Sequence, residues 1–170
     1  MKLQSNAIRL MVKEDMPRCA EINVFAWRSA YRGIVSDEIL FNNMLVSSVT
    51  VQLSDYVQKN DHVENYVYDD GIVKAFMSLG ACRDEDKPNA FEIWGIYVDP
   101  LFEMQGIGFV MVNYLEKRAK EQGYREICLW VPEENTDLRH FYLNIGFSAD
   151  GSDKYLENLG ITVLRYTKTL

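Results

Sequence analysis

Between Phe102 and Lys120 the chain reads FEMQGIGFVMVNYLEKRAK, and Gly106 and Gly108 stand one residue apart where a polar stretch becomes a helical pattern. Glycine near a helix start lowers stability unless the backbone has to come close to something. A strand, a glycine turn and a helix N-terminus together make a general anion site. The free N–H groups of the first turn point outward and the helix dipole favours negative charge. The spacing is not that of a phosphate-binding P-loop, because no G-x-x-x-x-G-K-[ST] is present. Nor is it the dinucleotide fingerprint, because position 111 is Met. On these residues alone, tight packing of a helix on a strand accounts for the glycines better than a ligand does.

Other reactive side chains are dispersed. Cys19, Cys82 and Cys128 show no C-x-x-C spacing, and His62 and His140 lie far apart. That pattern argues against a disulfide framework and against a metal site. The net charge of −7 argues against a broad nucleic-acid surface. It offers a weak attraction for cationic amines, weak because an acidic balance also serves solubility.

The elements that would position any site follow from 170 residues, enough for one domain (1–170) with a real core. No apolar run would span a bilayer, and MKLQSNAIRLMVKED lacks the apolar stretch of a signal peptide. A cytoplasmic protein without membrane partners is the expectation.

The segment 7–12 alternates as a strand, and 14–33 reads as a helix with Asp15 as cap, Pro17 in the first turn and Gly33 as stop. A second helical region begins at Ser36, breaks near Ser47–Ser48 and resumes to about Lys59. Two β-rich runs flank Asp70-Gly71 as a hairpin. A turn at 84–89 leads to a strand at 90–100. Ile107, Val110, Met111, Tyr114, Leu115 and Ala119 then mark one face of a helix stopped by Gly123. A strand at 125–131, a short helix ended by Gly146 and two final strands complete the order β-α-α-β-β-β-α-β-α-β-β. That order predicts an α/β domain with one mixed central sheet.

From Glu92 onward four pieces stand in register: IYVDPLF, EMQGIG, LWVPEEN and LRHFYLNIGF. Together they resemble the GNAT superfamily of acyl-CoA-dependent N-acetyltransferases. EMQGIG sits at its [QR]-x-x-G-x-[GA] loop and HFYLNIGF at its F-Y-x-x-x-G-F helix. FAWRSAYRGIVSDEIL is similar to the first-helix region of many members. The resemblance implies a mixed sheet of about seven strands with about four helices and a splayed central strand pair. It also implies acetyl-CoA as cosubstrate without a metal, and transfer to a primary amine of a small molecule or peptide. In such proteins the loop grips the coenzyme pyrophosphate through backbone N–H groups, here those of Met104, Gln105, Gly106, Ile107, Gly108 and Phe109. Glu103 departs from the pattern, standing where Gln or Arg is usual.

The resemblance assigns further roles. Ile96, Tyr97 and Val98 would hold the pantetheine arm and carbonyl through their backbone. Gly95 would mark a bulge there. Tyr142 would be the acid for the departing thiolate, since a phenol with pKa near ~10 stays protonated at neutral pH. Asn135 would contact the cofactor and also cap a helix. Glu92 is the candidate base, acting directly or through water. Trp27 and Tyr31 would line the acceptor pocket. Trp130 replaces the glutamate base of ribosomal-type members, which counts against that subclass. Dimers are common among such proteins, so a homodimer is compatible with the resemblance. The alternatives are a non-catalytic acyl-CoA-binding protein of the same fold and a protein-interaction module.

Overall fold

The computed structural model describes residues 7–59 and 62–170. Part of the stretch read against a leader, residues 1–6, lies outside these. The elements are β1 (Ile8–Leu10), α1 (Met16–Ala30), α2 (Val46–Lys59), β2 (Glu64–Asp69), β3 (Val73–Ala81) and β4 (Phe91–Val98). Then follow α3 (Ile107–Glu121), β5 (Glu126–Pro132), α4 (Thr136–Asn144), β6 (Ser148–Leu156) and β7 (Ile161–Thr169). They build one seven-stranded sheet in the order β1-β2-β3-β4-β5-β7-β6. Every neighbouring pair is antiparallel except β4 and β5.

The parallel pair is the feature that makes room for a site. β4 meets β5 only at Phe91↔Ile127 and Glu92↔Cys128. Beyond Glu92, β4 stays with β3 as far as Ala75↔Val98, while β5 follows β7 as far as Pro132↔Val163. The sheet therefore splits, and past the last rung β5 offers the backbone of Ile96–Val98 no ladder partner. Such groups want hydrogen bonds from elsewhere.

The pairing of β3 and β4 slips once, since Leu79 faces Ile93 but Ser78 faces Gly95. Trp94 is the extra residue of a β-bulge. Because side chains alternate along a strand, the bulge keeps Ile96 and Val98 on the face of Phe91 and Ile93. That face carries the main core, where α3 buries Ile107, Met111, Val112, Leu115 and Ala119. Each large apolar side chain buried there contributes about 1.5–3 kcal/mol. The other face packs Cys19 and Ile22 of α1 on Val67 and Phe76, with Tyr97 beside them. A third cluster joins Val35 and Leu40 to Ile161 and Val163.

The turn after β3 is clamped across the sheet. Arg165 of β7 is 4% exposed, and its guanidinium donates to Asp84 (3.2 Å), Asp86 (2.7 Å), Asp150 (2.7 Å) and Ser152 (2.8 Å). Lys87 of the same turn donates to Glu126 at 2.8 Å.

Most boundaries agree with expectation within three residues, and two details differ. Asp15 stands at the start of α1 but its side chain does not cap the helix. Both carboxylate oxygens are taken by Arg9, at 2.7 and 2.9 Å, and one also accepts from the Val12 N–H at 2.9 Å. The charge-assisted fork outcompetes a neutral cap. The second helical region breaks at Met44–Leu45, after a π-helical turn Glu38–Asn43, rather than at the two serines.

Candidate active site

One cavity of about 580 Å³ opens where the sheet splits. Its walls come from four places: Ile96–Val98 of β4, the turn and first helical turn spanning Phe102–Met104 and Gly106–Phe109, Asn135 with Asp137, Leu138, Phe141 and Tyr142 of α4, and Ala26, Ser29, Ala30 and Tyr31 of α1. Of the residues singled out in the sequence, Ile96, Tyr97, Val98, Met104, Gly106, Ile107, Gly108, Phe109, Asn135, Tyr142 and Tyr31 meet here. Gln105, Trp27 and Glu92 are not on the wall.

The glycine loop has the backbone of an anion cradle. Asp99 caps the short turn Pro100–Phe102, its side chain accepting from the Leu101 N–H at 2.8 Å. Met104 (φ 59°) and Gly106 (φ 83°) are both left-handed, and α3 starts immediately after. Left-handed residues beside right-handed ones turn successive N–H groups inward as a nest. Met104 bears a strain of about 1–3 kcal/mol for this, a cost that is usual at ligand clamps. Gly108 is placed differently: a Cβ there would lie 3.4 Å from the Phe141 ring, an ordinary contact. The protein itself thus does not require glycine at 108.

Asn135 serves two ends of the site. Its side-chain oxygen accepts from the Leu138 N–H (3.0 Å), capping α4, and its Nδ2 donates to the Ala30 carbonyl (3.2 Å). It thereby ties the start of α4 to the end of α1 across the cavity.

Three phenols converge on the space. Tyr142 is 3% exposed, with its ring against Phe141 and Phe147. Burial, then the neighbouring Tyr97, pushes its phenol above the ordinary tyrosine value. Burial does the same to Tyr31 and Tyr97. Tyr97 folds back along its own strand, where a Cβ at Gly95 would stand 2.8 Å from its ring. Its hydroxyl lies against Trp27 and Asn23, yet the buried Trp27 Nε1 is not aligned with any acceptor. Trp27 packs edge-on against Tyr31 at 4.7 Å.

Glu92 is 1% exposed at the foot of the split, held by Arg83 through its backbone N–H (3.0 Å) and Nε (3.0 Å). Arg83 in turn stacks on Trp94 at 4.2 Å. The carboxylate faces the α1 side of the sheet, apart from the cavity. Among the described residues no Lys, Arg or His lines the cavity, whereas Glu103 and Asp137 do. Burial, helped by Asp99, raises the Glu103 carboxyl. Among the described residues there is no cluster of three or more His, Cys, Asp or Glu placed to hold a metal ion. Nor is any described helix long and apolar enough to cross a membrane.

Residues missed in the sequence are Phe102, Asp137, Leu138, Phe141 and the small side chains Ala26, Ser29 and Ala30. The last three stand at i, i+3 and i+4 on α1, a stripe that marks close approach to that helix.

The split parallel pair lies over the glycine nest, and Tyr142 of α4 closes the space between them. Residues 43–147 match the model of the Acetyltransferase (GNAT) family, and the chain belongs to that family. It is 26% identical over 157 residues to a spermidine N(1)-acetyltransferase of Thermoplasma acidophilum, covering 88% of this chain and 94% of that protein. An uncharacterized N-acetyltransferase of Methanocaldococcus jannaschii is 40% identical over 62 residues, 36% of this chain and 27% of that protein. This chain thus matches little more than a quarter of that relative's length. Among solved structures, the PaiA N-acetyltransferase of Thermoplasma acidophilum, in complex with coenzyme A, superposes with TM-score 0.75, 21% identity and full coverage of both chains. The mixed seven-stranded sheet with four helices is the fold of these acetyltransferases.

Proposed function

We propose that this protein transfers an acetyl group from acetyl-CoA to a primary amine of a small molecule or peptide, by direct attack in a ternary complex. The observation that carries the reading is a cavity joining the Gly106–Gly108 nest, the edge of β4 left without a β5 partner and the Tyr142 phenol. The fit is chemical. Inward N–H groups and a helix N-terminus suit a pyrophosphate, and an open strand edge suits the amides of a pantetheine arm. Acetyl-CoA supplies an activated acyl group with a thiol as its leaving group.

The chain's own groups do the rest. Backbone donors of Ile96–Val98 meet the carbonyl oxygen as it gains charge. Tyr142 donates its proton to the departing sulfur. An alkyl ammonium with pKa near ~10.4 must lose a proton, at a cost of roughly 4–5 kcal/mol at neutral pH. Glu92 lies off the cavity wall, so its role as base runs through water. Tyr31, with Trp27 behind it, forms the acceptor side. The Thermoplasma acidophilum relative is named for spermidine, so a polyamine is the first acceptor to try, in keeping with the net charge of −7. Binding without turnover is favoured by one observation, the two carboxylates and no cation on the cavity wall.

The test is thermal unfolding with acetyl-CoA, with unrelated nucleotides as controls. A ligand that binds only the native state raises the midpoint by mass action. A coenzyme-specific rise followed by amine-dependent thiol release supports the enzyme. A rise without release leaves the binding protein, and no rise at millimolar acetyl-CoA removes both. In the same assay Glu103→Gln raises the midpoint further than wild type, because it removes a carboxylate from the pyrophosphate side. An equal or smaller rise places Glu103 away from the phosphates.

Gly108→Ala separates packing from binding. The added methyl touches Phe141 at an ordinary distance, and Ala improves helix propensity by up to about 1 kcal/mol. The unliganded midpoint is therefore expected to hold or rise, while the acetyl-CoA shift shrinks because the methyl intrudes on the cradle. An undiminished shift means that no ligand approaches the backbone there.

A further inference from the structure

Two thiols that no step above uses lie in contact. Cys82, just past β3, and Cys128, in β5, bring their Sγ atoms to 3.0 Å, and both are free. A disulfide bond is about 2.03–2.05 Å long, so the sulfurs need to close by only about 1 Å. Their place is specific. Cys128 is the register partner of Glu92, the last rung before the sheet splits. The Cys82 N–H still bonds the Ala90 carbonyl at 3.0 Å, and the next residue donates its N–H to Glu92. The chain there turns across β4 toward β5, and the sulfurs meet at the foot of the split. Their exposure is unequal, Cys82 being half-buried and Cys128 fully buried. The remaining cysteine, Cys19, is sealed in the cluster under α1.

An accessible thiol with a buried one in contact has the layout of an attacking and a resolving cysteine. We propose that Cys82 and Cys128 form a reversible modification site for a small-molecule disulfide such as oxidised glutathione. The Cys82 thiol loses its proton and its sulfur attacks one sulfur of glutathione disulfide. That S–S bond breaks and one glutathione leaves as a thiol, having taken up a proton. The Cys128 thiol then loses its proton and attacks the Cys82 sulfur, and the second glutathione leaves as a thiol. Two protein thiols are oxidised by two electrons, and one small disulfide is reduced to two thiols. Burial raises both protein thiols above the ordinary cysteine value, so closure is slow rather than immediate. The product bond fastens the turn that carries Arg83 to β5, beside Glu92.

The experiment incubates the folded protein with oxidised glutathione, then digests it without reductant for mass spectrometry. The expected product is a Cys82–Cys128 linked peptide pair lacking two hydrogens. Free thiols per unfolded chain fall from three to one, and dithiothreitol restores them. Cys128→Ala is expected to halt at a glutathione adduct on Cys82, and Cys82→Ser to leave Cys128 unmodified. A stable Cys82 adduct beside a free Cys128 thiol in the wild type, modification of Cys19 instead, or no modification at all overturns the proposal.

Discussion

Tyr142→Phe is expected to lower the rate of acetyl transfer by about 100-fold or more, the usual contribution of a positioned general acid, while the acetyl-CoA shift in melting temperature is kept. The substitution removes one oxygen. The ring contacts with Phe141 and Phe147, and the bond from the Phe147 N–H to the Tyr142 carbonyl at 3.0 Å, do not depend on it. The unliganded protein therefore stays within about 1 kcal/mol of wild type, the scale of one hydrogen bond. The pH profile gives a second readout. Burial holds the phenol protonated beyond the ordinary tyrosine range, so the loss of this acid brings no fall in rate between neutral pH and about pH 10, where a free tyrosine ionises. Steady-state thiol release from purified variant and wild type checks both statements. Unchanged turnover would return Tyr142 to the core as a packing residue.

The second large effect is on stability. Arg165→Ala is expected to cost about 3 kcal/mol, near the lower end for removing one partner of a buried ion-pair network. For a chain of this size that is a fall of roughly 6–12 °C in melting temperature. The guanidinium is almost wholly buried and holds Asp84, Asp86, Asp150 and Ser152 together under the Trp130 ring. Its loss frees the turn that positions Arg83 and through it Glu92. The pH dependence has a definite sign. Arg165 holds the Asp86 carboxyl below its ordinary value. For Asp150, burial acts upward, but the Ser152 N–H and Arg165 outweigh it, so that carboxyl is also lowered. A depressed carboxyl stabilises the fold fully above its unfolded pKa, about 3.9 for aspartate. That stability is lost as pH falls through the folded value. The gap in melting temperature between wild type and variant should thus be full at pH 6 and narrow below about pH 4. A gap that is constant with pH would mean that Arg165 stabilises by packing alone.

Much of this was legible in the chain because local rules and the fold agree. The α3 stripe of Ile107, Val110, Met111, Tyr114, Leu115 and Ala119 lies in the main core. Gly106 proved left-handed where a helix begins, and Asn135 proved both cap and cavity wall. What could not be read depends on contacts between distant residues. Nothing near Asp15 announces that Arg9 will claim it, because the choice is made by a salt-bridge geometry completed by Asp69 on another strand. The pairing of Glu92 with Arg83 is equally non-local, and it moves a residue that looks catalytic off the cavity wall. The contact of Cys82 with Cys128 spans 46 residues and has no spacing rule to reveal it.

The bulge in β4 has a consequence for how this strand tolerates length changes. Trp94 works as a frame shift within the strand. Upstream of it odd-numbered residues face α3, and downstream even-numbered ones do. Deleting Trp94 would remove the bulge and restore a single frame in which Ile93, Ile96 and Val98 still face α3 and Tyr97 still faces α1. Flattening the bulge with Trp94 retained would instead turn Tyr97 into the core and Ile96 toward α1, and so rewrite the cavity wall of β4.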